Sequence, residues 1–131
     1  MRLQDFDFRI WDKHHKGCGN KDCKCQTKYV YGEEAKIRLS EFKEDCEIEL
    51  FTGLYDKNGN KIYEGDILRI QLDYNKVEKG FVQYHNGIFK VINRKAFPAS
   101  HEYCVTFLGT CYIKDCVEII GNIHENAELL K

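Results

Sequence analysis

At 131 residues the chain suits one domain and can bury about two-thirds of its unfolded surface, so it needs no disulfide or metal merely to own a core. Its formal net charge of −1 lacks the basic excess of a nonspecific duplex-binding protein. No apolar run approaches the roughly 18 residues that crossing a bilayer requires.

The aromatic content, 8 Tyr, 8 Phe and 1 Trp against one Pro, favours strands. The opening MRLQDFDFRIWDK has no apolar core and carries acids early, unlike a signal peptide. Seven cysteines cannot all pair within the chain. A cytoplasmic protein whose cysteines are free thiols or ligands is therefore expected.

Phe6, Phe8 and Ile10 alternate with Asp7 and Arg9, which predicts a half-buried strand, with a bulge or strand end at Trp11. Residues 13–28 then change character. They hold five lysines, His14, His15, Cys18, Cys23 and Cys25, and no aliphatic residue. This reads as a loop inserted into an otherwise single domain spanning 1–131. A short strand is expected at Tyr29, Val30 and Tyr31. Residues 33–46 are mixed and acidic, with Ser40 the expected N-cap of a helical turn.

The most informative run follows, TGLYDKNGNKIYEGDILRI at residues 52–70. Residues 56–61 hold almost nothing suited to burial. Asn58-Gly59 is the pair preferred at the centre of a type I′ hairpin. Gly65 supplies a strained corner, and Asp66 beside it is expected to cap backbone N–H groups as an Asx turn rather than to act in catalysis. Leu68, Ile70 and Leu72 share one parity and predict one buried strand face, with Arg69 and Gln71 on the other.

A strand over residues 80–84, a second Asn-Gly pair at Asn86-Gly87 and a return strand over 88–92 make an antiparallel meander the natural reading. Further strands are expected over 103–108 and 117–120, separated by loops and a helical turn over 112–116. Asn126 is the expected cap of a terminal helix over 127–131. Short strands that curl and close protect their edges. The fold class expected is therefore mainly β, a small barrel-like antiparallel domain with a short C-terminal helix.

One ligand cluster stands out. His-His-x2-Cys-x4-Cys-x-Cys offers Cys18, Cys23, Cys25 and one of His14 or His15 as a Cys3His set for a structural zinc. The competing reading is a cationic loop with exposed thiols. Cys46, Cys104, Cys111 and Cys116 fit core packing instead. Arg69, Lys76, Lys79, Tyr84 and Lys90 could share a sheet face able to meet nucleic acid. The chain has no phosphate-binding glycine loop, nucleophile elbow or His-Glu-x2-His motif.

The run TGLYDKNGNKIYEGDIL resembles the signature of the YopX family, small proteins typical of bacteriophages and prophages. Phe8-Arg9-Ile10-Trp11-Asp12 resembles that family's N-terminal motif. Val117-Glu118-Ile119-Ile120-Gly121-Asn122-Ile123, followed by Glu125-Asn126 and Glu128-Leu129-Leu130, resembles its C-terminal one, with Ala127 where the family often has Pro. The 13–28 insertion departs from the family pattern. The resemblance implies a barrel-like β fold and a phage-related origin, and brings no catalytic residue. Taken together, the expectation is a non-enzymatic binding or assembly protein. Its partners would be a second copy of itself or a phage or host protein, and no membrane is involved. A nucleic-acid-binding accessory factor of phage replication or regulation is the alternative. The acidic segment 33–49 and the basic loop 13–28 have opposite signs and are expected to meet, within or between chains.

Overall fold

The computed structural model describes residues 2, 6–14, 28–74, 76–85, 87–92, 102–104 and 116–130. It is mainly β, with two antiparallel sheets, one of them half-barrel-like, and only short helical pieces. The strands are β1 (Phe8–Trp11), β2 (Tyr29–Tyr31), β3 (Glu47–Tyr55), β4 (Lys61–Tyr63), β5 (Asp66–Asp73), β6 (Lys76–His85), β7 (Ile88–Ile92), β8 (Glu102–Cys104) and β9 (Val117–Asn122). One sheet has the order β2-β1-β3-β4 and the other β8-β7-β6-β5-β9. The chain divides into two compact units, Met1–Leu50 and Phe51–Lys131.

In the first unit β1 pairs antiparallel with β2 and β3. Phe8, Ile10 and Val30 pack with Ala35, and Phe42, Cys46 and Leu50 complete the cluster. Alternation places Arg9 on the other face, as the sequence suggests, but it does not reach solvent: it is only 4% exposed. Its cross-strand neighbour is Glu49, and Nε donates to Oε1 at 2.7 Å. The guanidinium also lies 4.1 Å from the centre of the Tyr29 ring. Pairing and stacking satisfy the charge, which is the condition for burying it. Trp11 ends β1.

The helical piece expected at Ser40 takes a different form. Helix α1 runs Gly32–Ile37, and a 3₁₀ turn runs Leu39–Glu41 with Ser40 inside it. Glu33 and Glu34 occupy the first turn of α1 and Lys36 the last, as the helix dipole prefers. Arg38 then reaches Glu34 at 3.1 Å and Glu41 at 2.9 Å.

In the second unit Leu68 and Ile70 form a core with Ile62, Val82, Val91 and Val117. Two of the three residues on the expected face of β5 are therefore buried, and the Leu72 side chain lies outside the described ones. Ile67 is buried as well, beside a register shift against β9. β6 and β7 pair as an antiparallel hairpin whose register runs to His85 opposite Ile88, with Gly87 at φ 82°. The first Asn-Gly pair departs from the expected type I′ turn. Gly59 N–H donates to the Asp56 carbonyl at 3.0 Å, so Lys57 and Asn58 are the central turn residues and Gly59 follows them at φ 82°. That is the turn of a three-residue loop, not a two-residue one.

At the C-terminal end Asn122 caps the turn over 123–125, and Asn126 precedes the terminal piece with its carbonyl accepting from Leu129 N–H at 2.9 Å. Asn122 Oδ1 accepts from His124 N–H at 3.0 Å and from Glu125 N–H at 2.9 Å. Asn126 Oδ1 reaches back to Asn122 N–H at 3.1 Å, and the last piece is a 3₁₀ turn, Ala127–Leu130. The strand continuation over 105–108, the loop over 93–101, and residues 111–115 with Cys111 lie outside the described residues.

Candidate functional site

The 52–70 run is a structural joint, and its polar groups are engaged with backbone. Thr52 Oγ1 donates to the Ile62 carbonyl at 2.8 Å and accepts from Leu54 N–H at 3.1 Å. Gly65, at φ 82°, donates its N–H to the Val82 carbonyl and accepts from Ile123 N–H. Asp66, 3% exposed, accepts from Tyr63 N–H at 2.8 Å, the local capping role expected of it.

Asp56 overturns the expectation that 56–61 holds nothing buried, for it too is 3% exposed. Its Oδ1 accepts from Asn58 and Asn60 N–H, each at 2.9 Å, and its Oδ2 from Ile119 N–H at 3.1 Å. Burial alone would raise its pKa. The backbone donors of Asn60, Ile119 and Asn58 outweigh it and hold the carboxylate below its usual range.

Of the five candidate metal ligands only His14 is among the described residues; His15, Cys18, Cys23 and Cys25 lie outside them. The root of their loop is well defined. Asp12 N–H donates to the Lys28 carbonyl at 2.8 Å. His14 N–H donates to Asp12 Oδ1 at 3.0 Å, and its Nε2 lies 2.8 and 3.0 Å from the two Asp45 oxygens. Lys13 Nζ is 3.2 Å from Asp45 Oδ2. The acidic segment and the basic loop root thus meet within the chain. Hydrogen bonds from His14 and then Lys13 lower the Asp45 pKa. Burial, then the charge and hydrogen bond of Asp12, raise the Cys46 thiol. Cys46 and Cys116 are both half-buried, and the Cys46 thiol donates to Asp12 Oδ1 at 3.5 Å.

The surface that the sequence did not reveal is a groove in the first unit. It has a volume of about 740 Å³ and is lined by Phe6, Phe8, Ile37 and Leu39, with Arg2, Glu33 and Lys36. Phe8 belongs to the core, whereas Ile37 is 80% exposed, Leu39 49% and Phe6 38%. Such a cluster of exposed apolar side chains marks an interaction surface more often than scattered ones do.

The five residues proposed for nucleic acid do not share a face. Arg69 lies opposite Lys79, and Gln83 opposite Lys90, so register puts Arg69, Lys79 and Lys90 on one face of the sheet. Tyr84 has the other parity and packs against Phe89, ring centres 5.1 Å apart. The Lys76 side chain lies outside the described ones. Among the described residues no carboxylate forms an ion pair with Arg69 or Lys79, although like charges opposite one another are unfavourable.

The fold is a mainly β scaffold whose longest motif builds a turn and two capped corners. The chain is a member of the YopX protein family, whose model matches residues 7–131. Its fold is similar to that in the crystal structure of protein EF1440 from Enterococcus faecalis. The two chains are 24% identical, with a TM-score of 0.53, over 96% of this chain and 98% of that one. No curated protein matches it. No helix among the described residues is long and apolar enough to cross a membrane.

Proposed function

We propose that this chain is a non-enzymatic binding or assembly protein of a phage or prophage, acting in the cytoplasm of the bacterial host. The groove carries the reading: Ile37, Leu39 and Phe6 present apolar surface around a hollow of ligand-accepting size, roughly 300–1,000 Å³. The engagement of Asp56 and Asp66 with backbone supports a structural role for both. The family's usual setting supports the phage origin.

The test is capture from induced lysogenic cells with tagged wild-type and Ile37→Lys baits. A partner held by the first and lost from the second supports the groove. Equal recovery by both baits counts against it. A second reading, nucleic-acid binding, draws support from Arg69 and Lys79 lying opposite one another, with Glu118 the neighbour of Arg69 on its other side. Nucleic acid in the eluate, lost on Lys79→Glu and weakened by salt, would favour that reading.

Structural zinc in the 13–28 loop belongs to the same proposal. What supports it is the thiolate and imidazole set together with a root in which Asp45 already orients His14, the arrangement that ligating histidines commonly need. About one zinc per chain by elemental analysis is expected, lost on Cys23→Ser. Metal-free native protein would remove the idea.

A further inference from the structure

We propose that the 56–60 turn guards the free edge of β9, and that the strand it keeps away is β9 of a second copy of this chain. All the groups involved belong to the second unit, so the guard stands whether or not the groove binds. Among the described residues β9 ends its sheet, with β5 on one side and no strand on the other. Such an edge offers a row of backbone donors and acceptors to any extended chain. Here the turn occupies that row. Lys57 N–H donates to the Val117 carbonyl at 2.8 Å, and Ile119 N–H donates to Asp56 Oδ2 at 3.1 Å. A neighbouring strand would meet the same two groups with one N–H and one carbonyl. Lys57 supplies the N–H as a strand residue does, and the Asp56 carboxylate stands in for the carbonyl. Between those two bonds Lys57 Nζ lies 3.2 Å from Glu118 Oε2.

The turn keeps its own shape without these contacts. Asp56 Oδ1 accepts from Asn58 and Asn60 N–H, the Asp56 carbonyl accepts from Gly59 N–H, and Asp56 N–H donates to the Asn60 carbonyl. One carboxylate oxygen builds the turn and the other faces β9. The edge also defines its occupant. The Val117 carbonyl and Ile119 N–H flank Glu118. With the turn withdrawn, a two-fold axis at Glu118 sets Ile119 N–H of each copy against the Val117 carbonyl of the other. The two groups that the guard satisfies are thus the two that a pair of copies would exchange. The net charge of −1 leaves almost no long-range repulsion between them. Two Glu118 side chains would face each other across the axis, and like charges placed so weaken the pairing.

Amide hydrogen exchange resolved by residue, with sedimentation equilibrium of the full chain up to about 1 mM, tests both parts. Lys57→Pro removes the N–H at Val117 and the ion pair, at the second position of a turn, where proline is at home. Asp56→Asn keeps an acceptor for the turn and puts an amide in place of the second oxygen. In wild type Ile119 N–H should exchange slowly although it lies on an outer edge. In each variant it should exchange at least about 10-fold faster, the loss of one hydrogen bond to a charged acceptor. Glu118 N–H, which alternation turns toward β5, should stay protected and so report an intact sheet. Both variants should self-associate beyond wild type, and adding Glu118→Gln to Lys57→Pro should tighten that association about threefold. Fast exchange of Ile119 N–H in wild type overturns the guard, and this holds even if neither variant folds. Slow exchange that both folded variants leave unchanged overturns it too. An opened edge with no gain in association, or association that Glu118→Gln does not tighten, overturns the second copy as the excluded strand.

Discussion

Asp56→Ala is expected to lower folding stability by about 3 kcal/mol, read from urea unfolding at pH 7. The carboxylate is buried and accepts three backbone N–H groups, from Asn58, Asn60 and Ile119. Hydrogen bonds to a charged acceptor each contribute about 1.5–3 kcal/mol and do not simply add. Alanine removes the acceptor and leaves the donors without it. Asp56→Asn keeps one acceptor oxygen and should cost less.

The sign of the pH dependence follows from the depressed pKa. The folded state favours the ionised form, so the contribution is complete above the ordinary aspartate value of about 3.9. Below that value it declines, until pH has fallen through the lower folded pKa. The gap in stability between wild type and Asp56→Asn should therefore narrow from pH 7 to pH 3. A gap of constant size, or an Asp56→Ala variant within about 0.5 kcal/mol of wild type, would show that Asp56 does not hold the turn.

Glu49→Ala should be at least as damaging, about 3–5 kcal/mol. The Arg9 and Glu49 side chains are 5% and 6% exposed and meet at 2.7 Å. Removing the carboxylate takes a charged partner from a buried guanidinium that cannot shed its proton. Its stacking on Tyr29 recovers only part of that cost. Replacing both charges together, as in Arg9→Met/Glu49→Leu, leaves no buried charge and should cost less than either single change. A double-mutant cycle by thermal and urea unfolding measures the difference. Single variants that lose under about 1 kcal/mol would mean that the pair is solvated in solution.

The features legible in the sequence were those written in local chemistry. Alternation gave the strand faces at Leu68 and Ile70, the second Asn-Gly pair marked the β6–β7 hairpin, and the Gly-Asp corner marked the cap at Asp66. What stayed hidden depended on partners distant in the chain. Arg9 is buried because Glu49, forty residues on, lies opposite it. Asp56 is buried because β9 brings Ile119 N–H to its second oxygen. Helix α1 escaped notice because six residues with one buried position, Ala35, carry too little periodicity. The groove was invisible for a related reason: Phe6, Ile37 and Leu39 each look like ordinary core candidates until their exposure is known.

The bond from Asp12 N–H to the Lys28 carbonyl, with Trp11 facing Tyr29 just inside it, makes β1 and β2 a stem shut at its mouth. A change in the sequence between Lys13 and Lys28 is expected to leave the β1–β2 and β1–β3 register in place, provided that the contacts of Lys13 and His14 with Asp45 are kept. A lineage could acquire, remodel or discard a metal-binding or partner-reading segment at this point without rewriting the scaffold beneath it.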